Sequence, residues 1–578
     1  MTIFRYFLPF LLFLFILSCA SDNAERRGEG LSKAGHPSKR VLKKRKIEKI
    51  KKETVEYDIY RGDEDIVIYG ASNKAGSEKK VFTLFGTIKA STGSGAETGY
   101  SVYSADINGD KIKDIIIGSP NTKAGDKDKN KGGKVYCLYG KNKMDDALSV
   151  NDSELILYNK SSSEKDWLGH TITAGDINGD GVSDLLIGAP FTGEKSGAVF
   201  VIFGRDGISG EKDITEIADI SIYGANKGDM AGYSIAIGDI NKDEIADIII
   251  GAPGSDKGRG EVYVISGGKN LEGEINLRDS YDLRIAGKEG SDRGFFVFNE
   301  KSEQRGDSFG YAVASADINS DSISDVIIGA PGADGNNNKN DSGEVYVVYG
   351  KVGLKGDLDL YKDADVSISG AFAGDSAGYS IASGDINKDG VSDVVIGSPN
   401  AGFKGGENRP GAVHIVYGKS ELGSKIDLGR EADAVINGKI GQEEKGGILY
   451  SNSRIPHYYF GYSLSVGDFN GDGKVDVAIG APGAYALNSL SRRSAGEIYV
   501  VYGGDIKGEY EIEDFADNVL YGADAKDMAG TSLFMDDLNG DGISDLIIGA
   551  PGAKGEMKDV VNTGEVYIFY GSKEQKPD

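Results

Sequence analysis

One acidic pattern, Asp-x-Asn-x-Asp-x-x-x-Asp, occurs seven times in this 578-residue chain and limits what the chain can fold into. The first aspartates of successive copies lie 70, 63, 78, 68, 83 and 69 residues apart. Repetition at this spacing indicates an array or a propeller, because each unit must bury its faces against its neighbours. The seven copies begin at Asp106, Asp176, Asp239, Asp317, Asp385, Asp468 and Asp537.

Each repeat unit contains four short strand-like runs, which in the third unit are residues 218–224, 232–238, 247–251 and 261–265. The third of these runs is continuously apolar, as expected of a strand that is buried on both faces. The chain has 85 Gly but only 12 Pro, a composition that suits many tight turns between strands. These features predict an all-β fold, a seven-bladed β-propeller with four antiparallel strands per blade.

The acidic loop, the apolar strand after it and a following Gly-Ala-Pro resemble the FG-GAP repeats of the integrin alpha-subunit propeller and its bacterial relatives. Gly-Ala-Pro begins at Gly188, Gly251, Gly329, Gly480 and Gly549, and becomes Gly-Ser-Pro at Gly118 and Gly397. At the Phe-Gly position of the repeat, Phe-Gly is literal only at Phe309-Gly310 and Phe460-Gly461. The resemblance covers about residues 65–572; it implies the propeller fold and a metal, and specifies no partner.

The acidic loops are predicted calcium sites. Positions 1, 3, 5 and 9 are oxygen donors in all seven copies, and position 7 offers a backbone carbonyl; calcium takes six to eight oxygens. The alternative is an Asx-turn with solvated acids, but 21 loop aspartates without counter-ions would repel one another. We expect up to seven structural Ca²⁺ ions, bound more weakly where position 6 is Lys111, Glu244 or Ser322 instead of Gly. The predicted ligands are Asp106, Asn108, Asp110, Ile112 and Asp114; Asp176, Asn178, Asp180, Val182 and Asp184; Asp239, Asn241, Asp243, Ile245 and Asp247; Asp317, Asn319, Asp321, Ile323 and Asp325; Asp385, Asn387, Asp389, Val391 and Asp393; Asp468, Asn470, Asp472, Lys474 and Asp476; Asp537, Asn539, Asp541, Ile543 and Asp545.

Closure of the ring needs a strand from the N-terminal region. The chain ends soon after the strand-like run at 565–570, which leaves the last blade one strand short. Residues 65–70 and 80–85 are the two candidates for the missing strand, and closure avoids an open sheet edge. The candidate that is not used would be the remnant of an eighth blade.

Residues 1–57 are predicted to direct export of the protein and to anchor it. Residues 1–18 contain an apolar run too short for a confident membrane span and are predicted to be a signal peptide. A small residue before Cys19 resembles the bacterial lipobox, in which the Cys carries the lipid; the alternative is an ordinary signal peptide. Residues 19–57 are rich in Lys and Arg and are predicted to be a flexible tether or a segment that lies on an anionic membrane, and 58–574 are the propeller.

The predicted partner site lies on the face opposite the acidic loops. Most links between blades are short, but residues 288–308 and 439–459 form two long links that resemble each other. Both carry apolar or aromatic residues that a solvated loop does not need, so we predict a paired binding surface; the alternative is that they cap the central opening. The predicted partner-binding residues are Phe295, Phe296, Phe298, Tyr450, Tyr458 and Tyr459.

Composition and motifs exclude several functions. A net charge of −25 argues against nucleic acid as a partner. Four His and two Cys leave little for a zinc site or for histidine catalysis, and the triplets Arg61-Gly62-Asp63 and Arg305-Gly306-Asp307 are not expected to mediate adhesion.

The sequence predicts a non-enzymatic, calcium-binding module that binds a ligand or mediates adhesion, with a protein or a glycan as its partner. It would be exported and lipid-anchored at a bacterial cell envelope, at the outer membrane or cell surface. Alternatives are a hydrolase or lyase for glycans or lipids, with His457 as its one candidate, and a structural envelope component.

Overall fold

The repeated apolar runs form seven sheets, each of which is one blade of a β-propeller. The computed structural model describes residues 55–61, 66–71, 84–89, 95–122, 132–141, 147–160, 166–287, 295–296, 305–335, 339–402, 409–439, 458–486, 490–554 and 562–573. We number the strands of a blade 1 to 5 from the inside outwards. Strand 1 of each blade contacts strand 1 of the next, and strand 1 of blade 7 contacts that of blade 1, so the ring is closed.

The three inner strands of every blade are consecutive and antiparallel. Strand 1 is Ser101–Ala105, Thr171–Gly175, Ser234–Gly238, Ala312–Ala316, Ser380–Gly384, Ser463–Gly467 and Ser532–Asp536 in blades 1 to 7. Strand 2 is Asp114–Ser119, Asp184–Ala189, Asp247–Ala252, Asp325–Ala330, Asp393–Ser398, Asp476–Ala481 and Asp545–Ala550. Strand 3 is Lys134–Leu138, Ala198–Ile202, Glu261–Ile265, Glu344–Val348, Ala412–Val416, Glu497–Val501 and Glu565–Phe569. Strand 2 is buried at every position in all seven blades, which confirms the prediction for the apolar run.

Strand 4 is antiparallel to strand 3, and strand 5 adds to its outer edge in parallel. Strand 4 is Leu155–Tyr158, Ile220–Tyr223, Leu283–Ala286, Val366–Ser369, Ala434–Asn437, Asn518–Tyr521 and Leu84–Lys89. Strand 5 is Gly210–Asp213, Gly273–Asn276, Gly356–Asp359, Lys425–Asp427, Gly508–Glu511, Val55–Arg61 and Ala147–Ser149. The prediction of four strands per blade is therefore corrected to five, with a sixth in blade 6. In blades 1 to 6 the chain between strands 3 and 4 pairs with the outer edge of the preceding blade.

Short helices and one small hairpin complete the described structure. The α-helices are Thr192–Lys195, Ile214–Ile217, Ser255–Gly258, Leu360–Asp363, Leu428–Glu431 and Ile512–Phe515, and the 3₁₀ helices are Val150–Asp152 and Leu490–Arg492. The hairpin pairs Phe295–Phe296 with Arg305–Gly306. Within the described residues, no helix is long and apolar enough to cross a membrane.

The ring is closed by two N-terminal strands. Leu84–Lys89 pairs with Glu565–Phe569 and supplies strand 4 of blade 7, which confirms closure by an N-terminal strand. The strand begins four residues later than the predicted segment 80–85. Residues 65–70 are not the remnant of an eighth blade: Ile66–Ala71 pairs with Val55–Arg61, which is strand 5 of blade 6. The N-terminal segment thus supplies strand 5 of blade 6, which the chain between strands 3 and 4 supplies to the other blades, and it also supplies strand 4 of blade 7.

The FG-GAP glycines are fixed by contact between neighbouring blades. Gly310, which follows Phe309, has φ +80° and donates its N–H to the carbonyl of Gly329 in its own blade. A Cβ added at Gly251 of the preceding blade would lie 2.1 Å from the carbonyl oxygen of Gly310. Because no side chain fits this approach, both glycines are required where the blades meet.

The core lies in the seams between blades. In the seam of blades 4 and 5, Ile327 and Val345 pack with Ile396, and all three are fully buried. Burying one such side chain stabilises the fold by about 1.5–3 kcal/mol, so each blade depends on its neighbours.

The two faces of the ring differ. Strand 1 runs from the link between blades towards the acidic loop, and strand 2 runs back in the opposite direction. Strand 3 runs in the same direction as strand 1 and ends on the side of the acidic loops. The acidic loops and the connections between strands 3 and 4 therefore share one face, which we call the loop face. The interblade links and the connections between strands 2 and 3 share the other, which we call the link face.

Candidate functional site

The first aspartate of each acidic loop is held by backbone N–H groups. In loop 1, Asp106 Oδ1 accepts N–H bonds from Gly109 at 2.7 Å and Asp110 at 3.1 Å, and Oδ2 accepts from Lys111 at 2.8 Å. The N–H bonds from positions 5 and 6 to the position 1 carboxylate recur in all of loops 2 to 7, as at Asp176 and Asp537. This carboxylate is oriented before any cation arrives.

The ninth position anchors the loop to the blade. Asp114 is fully buried, and its two carboxylate oxygens accept N–H bonds from Ile107 at 3.0 Å and Gly140 at 2.8 Å. Burial raises the pKa of these carboxyls: to about 7 for Asp114, Asp325, Asp476 and Asp545, and to about 6 for Asp184, Asp247 and Asp393. The loop is thereby tied to the second residue after strand 3 in every blade.

Two positions of each loop are left-handed. Position 6 has positive φ even where it is Lys111, Glu244 or Ser322, which agrees with the expected strain in those loops. Sequence reasoning missed position 4, where φ is 60–80° in all seven loops. The residues at position 4 are Gly109, Gly179, Lys242, Ser320, Lys388, Gly471 and Gly540.

The donor chemistry of the loops fits calcium, although the described residues contain no group of three or more His, Cys, Asp or Glu placed to hold a metal ion. Asn108 Oδ1 accepts the N–H of Asp110 at 2.9 Å, and Asp110 Oδ1 accepts that of Ile112 at 2.8 Å, so both remain oxygen donors with a free lone pair. An all-oxygen set on a tight loop suits a hard cation. Loop 6 differs, because Lys474 Nζ lies 3.0 Å from Asp472 Oδ2 and competes for that carboxylate.

A ring of aromatic side chains surrounds the axis at the link face. Each member directly follows the glycine that precedes strand 1 in every repeat, and blade 7 has Thr531 at this position. The ring members are Tyr100, His170, Tyr233, Tyr311, Tyr379 and Tyr462. Neighbouring ring centroids are 4.5–5.3 Å apart and their planes differ by 42–48°. This is close to the turn of about 51° between blades, so the side chains follow the sevenfold arrangement. Burial raises the pKa of each ring tyrosine, which keeps the phenols protonated.

Sequence reasoning missed this axial ring, although a signal existed. Tyr follows the same glycine in five of the seven units, and a repeated aromatic at one register of strand 1 must converge on the axis of a propeller.

His170 is the odd member of the ring. It is 8% exposed and packs against Tyr100, Trp167 and Tyr233 at centroid distances of 5.3, 5.7 and 4.5 Å. Burial lowers the pKa of His170 to about 4, and a contact with the backbone of Tyr233 acts in the opposite direction. The imidazole is therefore neutral in the folded protein at neutral pH.

Replacement of His170 by Tyr is expected to reduce acid sensitivity. The folded pKa is below the unfolded value of about 6.5, so His170 costs no stability above that pH and stability falls as the pH drops towards 4. At about pH 5 the free energy of unfolding of the wild type should be about 2 kcal/mol lower than at neutral pH because of His170. The His170→Tyr variant should not show this loss. Chemical denaturation of both proteins at neutral and acid pH measures this. Equal losses of stability in the two proteins would contradict the role of His170 in acid sensitivity. The buried His414 is present in both proteins, so its contribution cancels in the comparison.

A second set of residues, which we call the rim, lies three positions before the ring in each blade. All seven are left-handed without being glycine, with φ of 54–60°. The rim residues are Glu97, Trp167, Met230, Ser308, Ser376, Tyr459 and Met528. Glycine would adopt this conformation without strain, so the retained side chains point to a use in packing or binding.

The rim is asymmetric. Met230, Ser308 and Ser376 are buried in blades 3 to 5, whereas Tyr459, Met528, Glu97 and Trp167 are half-buried. The half-buried residues belong to blades 6, 7, 1 and 2, which follow one another around the ring. One side of the link face therefore presents two aromatic side chains, a thioether and a carboxylate.

The predicted partner-binding residues are only partly described. Tyr459 belongs to the rim, whereas Tyr458 is 4% exposed and packs in the core with Phe460. Phe295 and Phe296 lie in the small hairpin, and Phe298 and Tyr450 fall outside the described residues. His457 and Cys19 also lie outside them.

Two other sequence features take structural roles. Asp307 of Arg305-Gly306-Asp307 is 4% exposed, so this triplet does not present its carboxylate to solvent, and Asp63 of the first triplet is outside the described residues. Cys137 is fully buried in strand 3 of blade 1, and burial raises its pKa, as expected of an inert core thiol.

These features define a seven-bladed β-propeller built from FG-GAP repeats. Six segments of the chain match the FG-GAP repeat family: residues 168–202, 231–265, 309–348, 377–416, 460–501 and 529–569. They lie in blades 2 to 7, and each runs from three residues before strand 1 to the end of strand 3.

Curated relatives include integrin alpha subunits and a phospholipase. Integrin alpha-PS5 of Drosophila melanogaster is 29% identical over 369 residues, 62% of this chain and 32% of its own length. Integrin alpha-5 of Xenopus laevis is 30% identical over 253 residues, 44% of this chain and 20% of its own. Phosphatidylinositol-glycan-specific phospholipase D of Dictyostelium discoideum is 32% identical over 205 residues, 34% of this chain and 20% of its own. The matches thus span a fifth to a third of these relatives, and the chain is integrin alpha-like in its propeller.

Proposed function

We propose that this protein is an exported, calcium-loaded propeller that binds a protein partner through its link face. The observation that carries the proposal is the rim, where seven left-handed residues keep their side chains and four of them form a half-buried patch across blades 6, 7, 1 and 2. Local strain concentrates at ligand sites. Similarity to integrin alpha subunits supports a ligand-binding role for the propeller.

The chemistry of the patch favours a protein partner. Tyr, Trp and Met are enriched at the centres of protein interfaces, and the two aromatic side chains contribute a large contact area at low entropic cost. Trp167 rests on Phe191 and His170 at centroid distances of 4.6 and 5.7 Å, so its indole is held in place before a partner binds. Glu97 places an acidic group beside these aromatic side chains, which favours a partner with a basic residue at the contact.

Calcium in this proposal is structural. The acidic loops lie at the far end of strand 1 from the rim, and a five-residue strand spans about 17 Å, so an ion there does not touch a ligand on the link face. Bound in the loops, each ion would offset most of the negative charge of the aspartates at positions 1, 5 and 9 and hold strands 1 and 2 together. The residues that would hold them are the predicted oxygen donors.

Export and lipid anchoring belong to the proposal as well. They are supported by the signal-like residues 1–18, by Cys19 and by the basic residues of 19–57. Palmitate labelling, lost on Cys19→Ser substitution, is the expected result; labelling that persists in the variant would contradict the anchor.

An enzymatic role remains the rival hypothesis. It is supported by the match to a phosphatidylinositol-glycan-specific phospholipase D, which covers 34% of this chain. Both described histidines, His170 and His414, are buried and carry neutral imidazoles, so neither is placed to meet a substrate. Hydrolysis of lipids or glycans by the purified protein, abolished by His457→Ala, would favour the enzyme.

A double substitution of the rim is expected to abolish partner binding. Trp167→Ala with Tyr459→Ala removes both aromatic side chains of the patch, and loss of two such anchors typically costs about 2 kcal/mol or more each. The measurement is recovery of cell-surface and envelope proteins on immobilised variants, quantified by mass spectrometry. Val352→Ala is the matched control, because Val352 is 76% exposed but lies on the loop face. Undiminished recovery by the double variant, or equal loss in the control, would contradict the proposed site.

A further inference from the structure

Four of the seven acidic loops contain Asn-Gly at positions 3 and 4, and three do not. The Asn-Gly pairs are Asn108-Gly109, Asn178-Gly179, Asn470-Gly471 and Asn539-Gly540; the others are Asn241-Lys242, Asn319-Ser320 and Asn387-Lys388. Position 4 is left-handed in every loop, with φ of 66–80° in the Gly loops and 60–66° in the others. The backbone at position 4 is therefore alike in all seven loops, and the residue that follows Asn separates the four Asn-Gly loops from the other three.

Asn-Gly is the sequence in which deamidation is fastest. The backbone nitrogen of Gly attacks Cγ of Asn, a C–N bond forms, ammonia leaves, and a cyclic imide results. Water then opens the imide to Asp or to isoaspartate, in which the backbone continues through the side chain. Gly favours the attack because it has no Cβ to block the approach and the chain around it is free to turn.

The folded loop prevents this attack. Gly109 N–H donates to Asp106 Oδ1 at 2.7 Å, which holds the attacking nitrogen towards position 1, and Asn108 Oδ1 accepts the N–H of Asp110 at 2.9 Å. The same pair of bonds holds loop 2 at 2.7 and 2.8 Å and loop 7 at 2.8 and 2.9 Å. In loop 6, Asn470 is 2% exposed, and its Oδ1 accepts the N–H of Asp472 at 2.8 Å.

We propose that Asn108, Asn178, Asn470 and Asn539 are deamidation sites that calcium protects. The proposal rests on the proposed calcium loops: without an ion, the aspartates at positions 1 and 5 repel each other and the loop opens more often. Deamidation to isoaspartate inserts a methylene into the backbone between positions 3 and 4, which separates the oxygen donors. Loss of calcium thus becomes permanent in these four loops, and the remaining three stay able to rebind it.

The structure ranks the four sites. Asn539 is exposed and Asn108 is half-buried, whereas Asn178 and Asn470 are 9% and 2% exposed. Loop 1 also carries Lys111 in a left-handed conformation, which weakens its folded state. Asn108 and Asn539 are therefore expected to react before Asn178 and Asn470.

The test is peptide mapping by mass spectrometry after prolonged incubation at physiological temperature and pH, with calcium or with a chelator. A site of dissociation constant near 10⁻⁴ M is opened about tenfold less often in about 1 mM calcium, so deamidation of the four sites should be about tenfold slower there. Asn241, Asn319 and Asn387 should stay intact in both. Lys388→Gly creates Asn-Gly in loop 5, where the backbone φ of 60° suits Gly, and should add a fifth calcium-protected site.

The melting temperature of the same samples separates the possible failures. If calcium raises it but the four sites deamidate at equal rates with and without the ion, or if Lys388→Gly adds no site, the protection is refuted and the calcium loops stand. If calcium leaves the melting temperature unchanged, the calcium loops are refuted, and the proposed protection is refuted with them.

Discussion

A protein that begins at residue 90 is expected to lose cooperative folding, whereas one that begins at residue 55 should fold normally. The longer truncation removes Leu84–Lys89, strand 4 of blade 7, and Val55–Arg61, strand 5 of blade 6. Ile88 is fully buried in the seam with blade 1, and Glu565–Phe569 would lose its outer partner. The loss should be comparable with a typical total stability of about 5–15 kcal/mol.

Circular dichroism with urea denaturation measures the effect. The remaining contacts across the closing seam, such as Lys113 Nζ to Asp536 Oδ2 at 3.0 Å and Tyr103 to Phe534 at 4.1 Å between centroids, cannot replace a missing strand. A midpoint for the protein that begins at residue 90 equal to that of the protein that begins at residue 55 would show that the ring does not need its N-terminal strands.

Removal of calcium is expected to lower the melting temperature by about 10 °C. At about 1 mM free calcium and a dissociation constant near 10⁻⁴ M, each site stabilises the folded state by about 1.4 kcal/mol, and seven sites by roughly 10 kcal/mol. For a propeller of this size that energy corresponds to about 10 °C. Differential scanning calorimetry with and without a chelator gives the shift.

Single loops can be tested by counting ions. Asp180→Ala removes the position 5 carboxylate of loop 2 and should lower the calcium stoichiometry by one, and Asp206→Ala, an exposed acid outside the loops, should leave it unchanged. Loop 6 should also bind calcium more weakly, because Lys474 already pairs with Asp472. A melting temperature that does not respond to chelation would show that the loops hold no calcium.

The elements that the sequence predicted well are those encoded by side chains at fixed spacing. Strand 2 is visible as a continuous apolar run because it is buried on both faces, and the seven acidic loops give the number of blades directly. The literal Phe of Phe-Gly proved dispensable: Leu168, Ala231 and Phe460 are all buried at the same position, so any apolar side chain that fits the local seam serves.

The elements that the sequence did not predict are held mainly by backbone groups or by geometry around the axis. Strand 5 of blade 1, Gly210–Asp213, has three exposed residues of four and pairs through its backbone, so no apolar pattern marks it. The aromatic ring is made of residues that are 63 to 83 positions apart in the sequence, and it appears only when the blades are arranged around the axis. The rim residues share a left-handed backbone conformation. A glycine at these positions would have suggested that conformation from the sequence, but Glu97 and Trp167 do not.

The central claim is that a protein partner binds the link face, and site-specific photo-crosslinking tests it most directly. A crosslinking amino acid is placed at Met528, in the rim of blade 7, or at Val352, which is exposed on the loop face. Each protein is irradiated in its native cells in the presence of calcium. We predict a crosslinked protein adduct from position 528, lost when Trp167→Ala and Tyr459→Ala are added, and none from position 352. Adducts from position 352 alone, or adducts from 528 that survive the two substitutions, would contradict the claim.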